Sequence, residues 1–160
     1  MRAELKAMMD DGVPGLLVCG GLQLYGESLP LEGVEVAGLG LLPFTTRRGT
    51  PRLVGRIGVE SALLPEPLIG FENHGGHSAL LDGGKPLGRV LWGNGNGKDG
   101  TAQEGVVLHR TIGTYLHGPI LARNPALAEL ILGWVAEQRG FSALAPLDDR
   151  IEQRAAKNQA

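Results

Sequence analysis

The chain has 160 residues, a formal net charge of −2 and one cysteine. The length fits one domain with a substantial buried core, and the nearly neutral charge offers no basic patch for nucleic acid or an anionic membrane. No apolar run reaches the ~20 residues that a membrane span needs, and a lone cysteine forms no internal disulfide, so we expect a cytoplasmic protein.

Around the cysteine the sequence predicts a helix, a buried strand and a second helix. Arg2–Met9 has a helical pattern that ends before Pro14, and the apolar run Gly15–Cys19 is typical of a strand buried on both faces. Two glycines then predict a sharp turn, and Leu22–Tyr25 begins the next helix. Strand, glycine turn and helix in this order indicate an α/β fold.

The middle of the chain is rich in strand patterns. Gly33–Leu42 is ambiguous between strand and helix, and Thr45–Pro51 is expected to be a polar loop. The stretch "WGNGNGKDG", Trp92–Gly100, departs from the phosphate-loop template GxxxxGK[ST], and we expect a hairpin or a mobile loop there. The other predicted strands are Arg52–Val59, Pro67–Glu72, Leu87–Leu91, Val106–Leu108 and Thr111–Leu116.

The clearest helix of the sequence lies near its end. Asn124–Arg139 places apolar residues on one face, with Asn124 as the N-cap and Gly140 as the stop. Residues 148–160 form a polar C-terminal tail that we expect to be a frayed helix. We therefore expect a single domain over residues 1–160 that ends in this tail.

The place of the cysteine strand in the chain bears on the fold class. A doubly wound sheet usually has strands before its central strand, whereas here one predicted helix precedes it. We expect an α/β, three-layer sandwich with a mostly parallel central sheet. We also expect the domain to be incomplete at its N-terminus and to lack N-terminal strands.

Cys19 is a candidate nucleophile because it ends a strand at a glycine turn. The amides of the following helix stabilise a thiolate, and the turn lifts the side chain out of the sheet as in a nucleophile elbow. Gly20 and Gly21 leave the approach open, and the Gly20 amide is placed to donate to an oxyanion. The alternative is a small buried hydrophobic residue, which is the usual state of a free cysteine.

A cysteine nucleophile needs a base, and the chain has four histidines. His117 follows a predicted strand, at the edge where a sheet presents catalytic groups, and is the best candidate. His74 and His77 lie in a predicted glycine loop, and His109 is expected to be structural or exposed. These residues offer too few well-spaced ligands for zinc, so we expect no metal site.

Three segments in this order resemble class I (triad-type) glutamine amidotransferases, in the branch related to cobyric acid synthase. "VCGGLQLYG" is similar to the nucleophile segment, "FENHGGHS" to the glutamine-binding Asn-His-Gly segment and "GTYLHGP" to the catalytic histidine segment. The "NGNGKDG" stretch favours one subgroup, the glutaminase subunits of lipid II isoglutaminyl synthase. The resemblance covers Val13 to about Gly133 and implies a class I glutamine amidotransferase-like fold.

The resemblance also implies roles for individual residues. Cys19 would attack the side-chain amide of L-glutamine, and His117 would exchange protons with the thiol and the departing ammonia. The Gly20 amide would supply half of the oxyanion hole. The residues that would bind glutamine are Arg52, Gln23, Asn73, Gly75 and Gly76, although a surface arginine, a helix-surface glutamine and plain turn glycines are the alternatives.

Two departures from the family pattern stand out. Most members carry a glutamate two residues after the histidine to orient the imidazole, but this chain has Pro119 there, and the next acidic residue is Glu129. The resemblance thus leaves a Cys–His dyad, and we hypothesise that a partner chain supplies the acid. The second oxyanion amide of the family lies upstream of the cysteine strand, on strands that this chain is expected to lack.

The resemblance implies a glutaminase subunit that passes ammonia to a partner. That partner would be a Mur-ligase-like, MurT-type synthetase subunit that amidates D-glutamate of lipid II in peptidoglycan biosynthesis and uses the ATP and Mg²⁺ itself. No cofactor is expected on this chain. The alternatives are a cobyrinic or cobyric acid-type amidotransferase domain and a truncated, non-catalytic module that binds the synthetase.

Overall fold

The structure is a computed structural model that describes residues 1–97, 100–141, 145, 148 and 150–157. In that part of the chain the helices are α1 (Arg2–Asp10), α2 (Gly20–Tyr25), α3 (Ile120–Arg123), α4 (Pro125–Gln138) and α5 (Arg150–Lys157). The strands are β1 (Gly15–Val18), β2 (Ser28–Leu31), β3 (Val34–Ala37), β4 (Phe44–Glu60), β5 (Leu68–Leu80), β6 (Gly88–Trp92), β7 (Gln103–Glu104), β8 (Val106–Leu108) and β9 (Thr111–Thr114).

The smaller sheet, in the order β1-β9-β8, carries the cysteine strand and has apolar layers on both faces. Side chains alternate across a strand, so Leu16 packs into one apolar cluster and Leu17 into the other. The first cluster includes Ile131 and Trp134 of α4, and the second includes Met9 of α1 and Leu22 of α2. Helices therefore cover both faces of this sheet, as the three-layer expectation requires.

The larger sheet has the order β3-β2-β4-β6-β7, with β5 paired to β4. The β4–β5 hairpin is its longest ladder and runs from Phe44↔Leu80 to Val59↔Leu68, with an irregularity between Arg48 and Leu53. Two glycines of β4 lie against rings of neighbouring strands: a Cβ on Gly58 would lie 2.2 Å from the Trp92 ring, and one on Gly49 would overlap the His77 ring. An aromatic ring over a glycine replaces the packing that the missing side chain would supply.

The α/β class is confirmed, but the expectation of a mostly parallel sheet is wrong. Only β1 and β9 form an extended parallel ladder among the described strands, with a further parallel bridge between Ser28 and Thr45. Parallel neighbours require a crossover of a dozen or more residues, which the chain provides between β1 and β9. The connections from β4 to β5 and from β8 to β9 are short, so these neighbours pair antiparallel.

Two predicted loops are strands in the structure. Thr45–Pro51 lies within β4, and the segment with His74 and His77 lies within β5. Gly33–Leu42 resolves into the short strand β3, followed by residues 38–43 outside regular structure. The loop predictions failed because long-range pairing of β4 with β5 outweighs the local preference of glycine and polar residues for turns.

Helices α1, α2 and α4 and the remaining predicted strands are confirmed within about two residues, except that β4 begins at Phe44 instead of Arg52 and β5 ends at Leu80 instead of Glu72. Asn124 occupies the predicted N-cap position of α4, but its side chain bonds to Ile69 and Ile120 instead of capping the helix. The polar tail contains α5, while residues 149 and 158–160 lie outside the described residues. Within the described part of the chain, no helix has the length and apolar character to cross a membrane.

Candidate functional site

Cys19 stands at a sharp turn between β1 and α2. Its backbone has φ 53° and ψ −107°, a conformation that residues with a side chain rarely adopt. Its N–H donates to the Thr114 carbonyl oxygen at 2.9 Å, and its own carbonyl accepts from the Gln23 amide at 3.0 Å. Two elements therefore hold the backbone of Cys19 in this strained geometry, with its side chain partly buried.

A cavity of about 550 Å³ opens beside Cys19 and brings most of the predicted site together. The predicted residues that line it are Cys19, Gln23, Arg52, Asn73, Gly75 and Gly76. Gly20 and His117 are not among the lining residues. The wall also contains residues that the sequence did not point to, among them Glu32, Arg48 and Thr50.

Gln23 is fixed by a buried polar network. Its Nε2 donates to the hydroxyl of Tyr115 at 3.0 Å, and Tyr115 is completely buried. That hydroxyl shares a further hydrogen bond with Ser78, which in turn bonds to Thr46. Burial raises the pKa of Tyr115, so the phenol stays protonated. The part-buried contact to Tyr115 distinguishes Gln23 from a plain helix-surface residue.

Arg52 is exposed but anchored to Asn73 on the neighbouring strand. Its Nε donates to Asn73 Oδ1 at 2.8 Å, and its Nη2 donates to the Asn73 carbonyl oxygen at 3.1 Å. A guanidinium has five N–H groups, and these two bonds use two of them. The end-on edge, formed by Nη1 and the second hydrogen of Nη2, is not used in these bonds. A carboxylate fits that edge with two parallel hydrogen bonds.

The two glycines of the Asn-His-Gly-Gly segment have different surroundings. A Cβ on Gly76 would lie 2.5 Å from Gln23 Nε2 and 2.6 Å from Thr46 Cγ2, so the absence of a side chain is required there. A Cβ on Gly75 would meet only Arg52 Nη1, at 3.8 Å, which is an ordinary contact. Gly76 therefore makes room for Gln23, whereas Gly75 does not depend on close packing.

His117 lies beyond the end of β9, next to the cysteine strand. The parallel register pairs Val18 with Thr114, so Cys19 and Tyr115 follow the same edge of the sheet. The Nδ1 atom of His117 lies 2.8 Å from the Tyr115 carbonyl oxygen and 3.1 Å from that of Phe71. Because a carbonyl oxygen only accepts, Nδ1 carries the hydrogen, and Nε2 of the neutral ring is the atom that accepts a proton.

Glu72 is buried on β5 and ties down the start of the loop after β6. It accepts hydrogen bonds from the backbone amides of Asn94 and Gly95. Burial opposes its ionisation, but the His74 ring, whose Nε2 lies 3.9 Å from Oε2, and the hydrogen bonds from Asn94 and Gly95 outweigh burial and lower the pKa of Glu72. The pairing of β6 with β7 confirms the predicted hairpin, and residues 98 and 99 of its connection lie outside the described residues.

Glu104 is a second buried acid, at the end of β7. Its Oε1 accepts from the Tyr115 amide at 2.7 Å and from the Thr114 hydroxyl at 3.0 Å. Its Oε2 has no hydrogen-bond partner among the described residues. Burial raises the pKa of Glu104 to about 8, and the charge of Glu72 acts in the same direction. Glu104 is therefore a neutral acid at pH 7.

Sequence reasoning missed Tyr115, Glu72 and Glu104. Tyr115 lies two residues before His117 in "GTYLHGP", and Glu72 lies two residues before His74, so both were within reach of the motifs. Glu104 lies in "AQEGV", where no local pattern separates a buried acid from a loop residue. In the described part of the chain, no group of three His, Cys, Asp or Glu residues is arranged to hold a metal ion.

Comparison with known proteins identifies a family that this chain matches. The family model of the CobB/CobQ-like glutamine amidotransferase domain matches residues 1–125. These residues include every predicted site residue, from Cys19 to His117.

Three curated relatives illustrate the similarity. The lipid II isoglutaminyl synthase (glutamine-hydrolyzing) subunit GatD of Staphylococcus aureus is 41% identical over 142 residues, which cover 88% of this chain and 57% of the relative. GatD of Streptococcus pneumoniae is 41% identical over 123 residues, covering 76% of this chain and 46% of the relative. Cobyric acid synthase of Sphingopyxis alaskensis is 32% identical over 157 residues, covering 91% of this chain and 30% of the relative. The chain thus spans about half the length of the GatD relatives.

Proposed function

Since the chain belongs to the CobB/CobQ-like glutamine amidotransferase domain family, we propose that it hydrolyses L-glutamine to glutamate and ammonia. The observation that carries this proposal is the placement of Cys19 in a strained turn, on the wall of the cavity that also holds Gln23 and Arg52. A nucleophile and amino-acid-binding groups on one cavity are what a glutaminase needs.

The cavity has charges that suit a free amino acid. Arg48 and Arg52 are positive, and Glu32 on the β2–β3 turn is negative. The free edge of Arg52 is placed to bind the α-carboxylate, and Gln23 holds the same end of the substrate. The side-chain amide then extends toward Cys19. Asn73, Gly75 and Gly76 line the same cavity.

The reaction proceeds through a thioester. The Cys19 thiolate bonds to the amide carbon of glutamine, while the Gly20 amide donates to the developing oxyanion. The carbon–nitrogen bond breaks, and His117 Nε2 passes the thiol proton to the departing ammonia. Water, deprotonated by His117, then attacks the thioester. This step releases glutamate and restores the thiol, so one water is consumed for each ammonia formed.

The names of two relatives support a proposal for the ammonia acceptor. GatD proteins of two species are the glutamine-hydrolysing subunits of lipid II isoglutaminyl synthase, and both are 41% identical to this chain. We infer that ammonia passes to a Mur-ligase-like subunit of the MurT type, which amidates D-glutamate of lipid II in the cytoplasm. ATP and Mg²⁺ are used by that subunit. The second candidate is a cobyric acid-type acceptor, favoured by the match to cobyric acid synthase over 91% of this chain.

The orienting group of His117 also belongs to this proposal. Two backbone carbonyl oxygens contact Nδ1 in this chain, where most of the family has a glutamate. The hypothesis that a partner chain supplies an acid requires Nδ1 to exchange a carbonyl for a carboxylate. The imidazole nitrogen shifts of His117, measured by NMR with and without the partner, will differ on that hypothesis and coincide otherwise.

The decisive experiment measures ammonia release from glutamine by the full protein together with its synthetase subunit. Wild type releases ammonia, whereas Cys19→Ala does not and still binds glutamine in calorimetry. Ammonia release by Cys19→Ala would overturn the nucleophile assignment. A glutamine-analogue electrophile separates an enzyme from a non-catalytic module, since a module labels no faster than free cysteine. Lipid II and cobyrinic acid, offered as acceptors, distinguish the two candidate functions.

A further inference from the structure

We propose that Glu104 is a positioning residue for the Cys19–His117 pair, an inference that rests on the proposed function. Glu104 touches neither residue. It holds Thr114 and Tyr115, whose carbonyl oxygens accept hydrogen bonds from the backbone amide of Cys19 and from the ring of His117.

The first link runs from Glu104 to His117. Glu104 Oε1 accepts from the Tyr115 amide at 2.7 Å, and the carbonyl oxygen of the same Tyr115 accepts from His117 Nδ1 at 2.8 Å. The amide and the carbonyl of Tyr115 are thus both engaged. A rotation of the backbone at Tyr115 would break one of these bonds, so Glu104 restrains the orientation of the imidazole.

The second link runs from Glu104 to Cys19. The Thr114 hydroxyl donates to Glu104 Oε1 at 3.0 Å and accepts from the Leu116 amide at 3.0 Å. The Thr114 carbonyl oxygen accepts from the Cys19 amide at 2.9 Å. Since the backbone of Cys19 is strained, a fixed Thr114 carbonyl helps to hold it in the turn.

The surroundings make this arrangement stiff. Glu104, Thr114 and Tyr115 are each completely buried, so water does not compete for their hydrogen bonds. One oxygen, Oε1, accepts both bonds, while Oε2 has no partner among the described residues. This is the pattern of a neutral carboxyl group whose carbonyl oxygen is the acceptor. The amide of glutamine offers the same oxygen in the same place.

The experiment compares Glu104→Gln with Glu104→Leu in the full protein with its synthetase subunit. Glu104→Gln keeps the acceptor, and we expect its kcat for glutaminase activity to stay close to that of wild type. Glu104→Leu removes the acceptor, and we expect kcat per folded molecule to fall roughly tenfold or more, with a smaller change in KM. Misplacement of catalytic groups by ~1 Å costs about a hundredfold in rate.

A spectroscopic readout separates positioning from mere stability and from failure of the proposed function. In wild type and Glu104→Gln, NMR of the His117 ring should show the tautomer with hydrogen on Nδ1, and Glu104→Leu should mix the tautomers. This measurement does not require glutaminase activity. If wild type released no ammonia but the Glu104 variants still changed the His117 tautomer as expected, the proposed function alone would be overturned. Glu104→Leu with the tautomer of wild type and unchanged kcat would overturn the positioning role.

A second pair of variants covers the case in which Glu104→Leu does not fold. Thr114→Val removes the hydroxyl that bonds to Glu104, and Thr114→Ser keeps it. We expect Thr114→Ser to preserve kcat and the His117 tautomer, and Thr114→Val to impair both. Equal behaviour of the two variants would contradict the inference. Ser61→Ala, which removes a buried hydrogen bond to Leu87, is the control for stability loss without a change in kcat.

Discussion

The imidazole ring of His74 lies flat against the phenol ring of Tyr115, with centroids 3.7 Å apart and planes 11° apart. This stack joins β5 to the segment after β9, and His74 is itself a lining residue of the cavity. The hydroxyl end of Tyr115 reaches Gln23 and Ser78, so the ring fixes a second wall residue of the cavity. Tyr115 thus connects the histidine segment with the proposed glutamine site.

Tyr115→Phe tests this connection. Phenylalanine keeps the ring stack and the volume but removes the hydroxyl that accepts from Gln23 Nε2. We expect KM for glutamine to rise roughly fivefold, because one hydrogen bond contributes about 1 kcal/mol, while kcat changes less. Steady-state glutaminase kinetics measure both constants. Tyr25→Phe on α2 is the matched control, and an unchanged KM in Tyr115→Phe would show that Gln23 needs no such support.

Gly76 and Gly75 provide a matched pair for the packing beside Gln23. Gly76→Ala places a Cβ 2.5 Å from Gln23 Nε2 and 2.6 Å from Thr46, so the neighbours must shift. We expect this variant to lose about 1–3 kcal/mol of unfolding free energy, the usual cost of overpacking. Gly75→Ala meets only Arg52 Nη1 at 3.8 Å and is expected to unfold at nearly the temperature of wild type. Thermal unfolding of both variants measures the difference, and equal losses would contradict it.

The sequence predicts the part of the fold that rests on local signals. The run Gly15–Cys19 and the two glycines after it specify strand, turn and helix, and the apolar face of Asn124–Arg139 specifies α4. The pairing of strands that are distant in the chain leaves no local signal in the sequence. "RRGTPR" has the composition of a loop, yet Gly49 lies in β4 where a Cβ would overlap the His77 ring of β5. Only the paired strand explains that glycine.

The candidate site likewise contains residues that local sequence motifs predict and residues that they do not. Cys19, Gln23 and the Asn-His-Gly segment could be predicted because their neighbours along the chain form motifs. Glu104 could not, since its partners, the hydroxyl of Thr114 and the backbone of Tyr115, lie at the end of β9 in the other sheet. A buried acid whose partners lie on another strand leaves no spacing pattern in the sequence. Only the three-dimensional fold brings these groups together.

The strain at Cys19 predicts an unusual order of stabilities. Cys19 has φ 53° and ψ −107°, and a non-glycine residue in a sparsely populated region costs on the order of 1–3 kcal/mol. Glycine adopts this conformation without that cost, although it loses ~1 kcal/mol of chain entropy on folding. We expect Cys19→Gly to be more stable than Cys19→Ala by about 1 kcal/mol in urea unfolding.

In the control pair, alanine is expected to be more stable than glycine, which is the opposite order. Ala7 lies in α1, where Ala7→Gly should lower the unfolding free energy by ~1 kcal/mol, as glycine does inside a helix. If Cys19→Gly proved less stable than Cys19→Ala, as the helix pair is, the turn at Cys19 would carry no strain. The order of stabilities therefore reports on the elbow without any activity assay.

Glu104 predicts how stability depends on pH. Burial raises its pKa from 4.5 to about 8, and the charge of Glu72 on β5 adds to this, against the hydrogen bonds from Tyr115 and Thr114. Between these values the folded chain keeps the proton and the unfolded chain releases it. The contribution of protonated Glu104 to the free energy of unfolding is therefore complete below about pH 4.5. It is lost as the pH rises to about 8, by on the order of 1 kcal/mol per pH unit.

Glu104→Gln removes the titrating proton and keeps the acceptor. As the pH rises from 5 to 8, its unfolding free energy should therefore increase relative to that of wild type. Denaturant unfolding at several pH values measures this difference. Glu35→Gln on the exposed strand β3 is the control, whose curve should stay parallel to that of wild type. The lowered pKa of Glu72 acts in the opposite sense, since its contribution is lost as the pH falls below 4.5. Its window therefore lies outside the one in which Glu104 titrates. Parallel curves for Glu104→Gln and wild type between pH 5 and 8 would mean that Glu104 is already ionised in the folded chain.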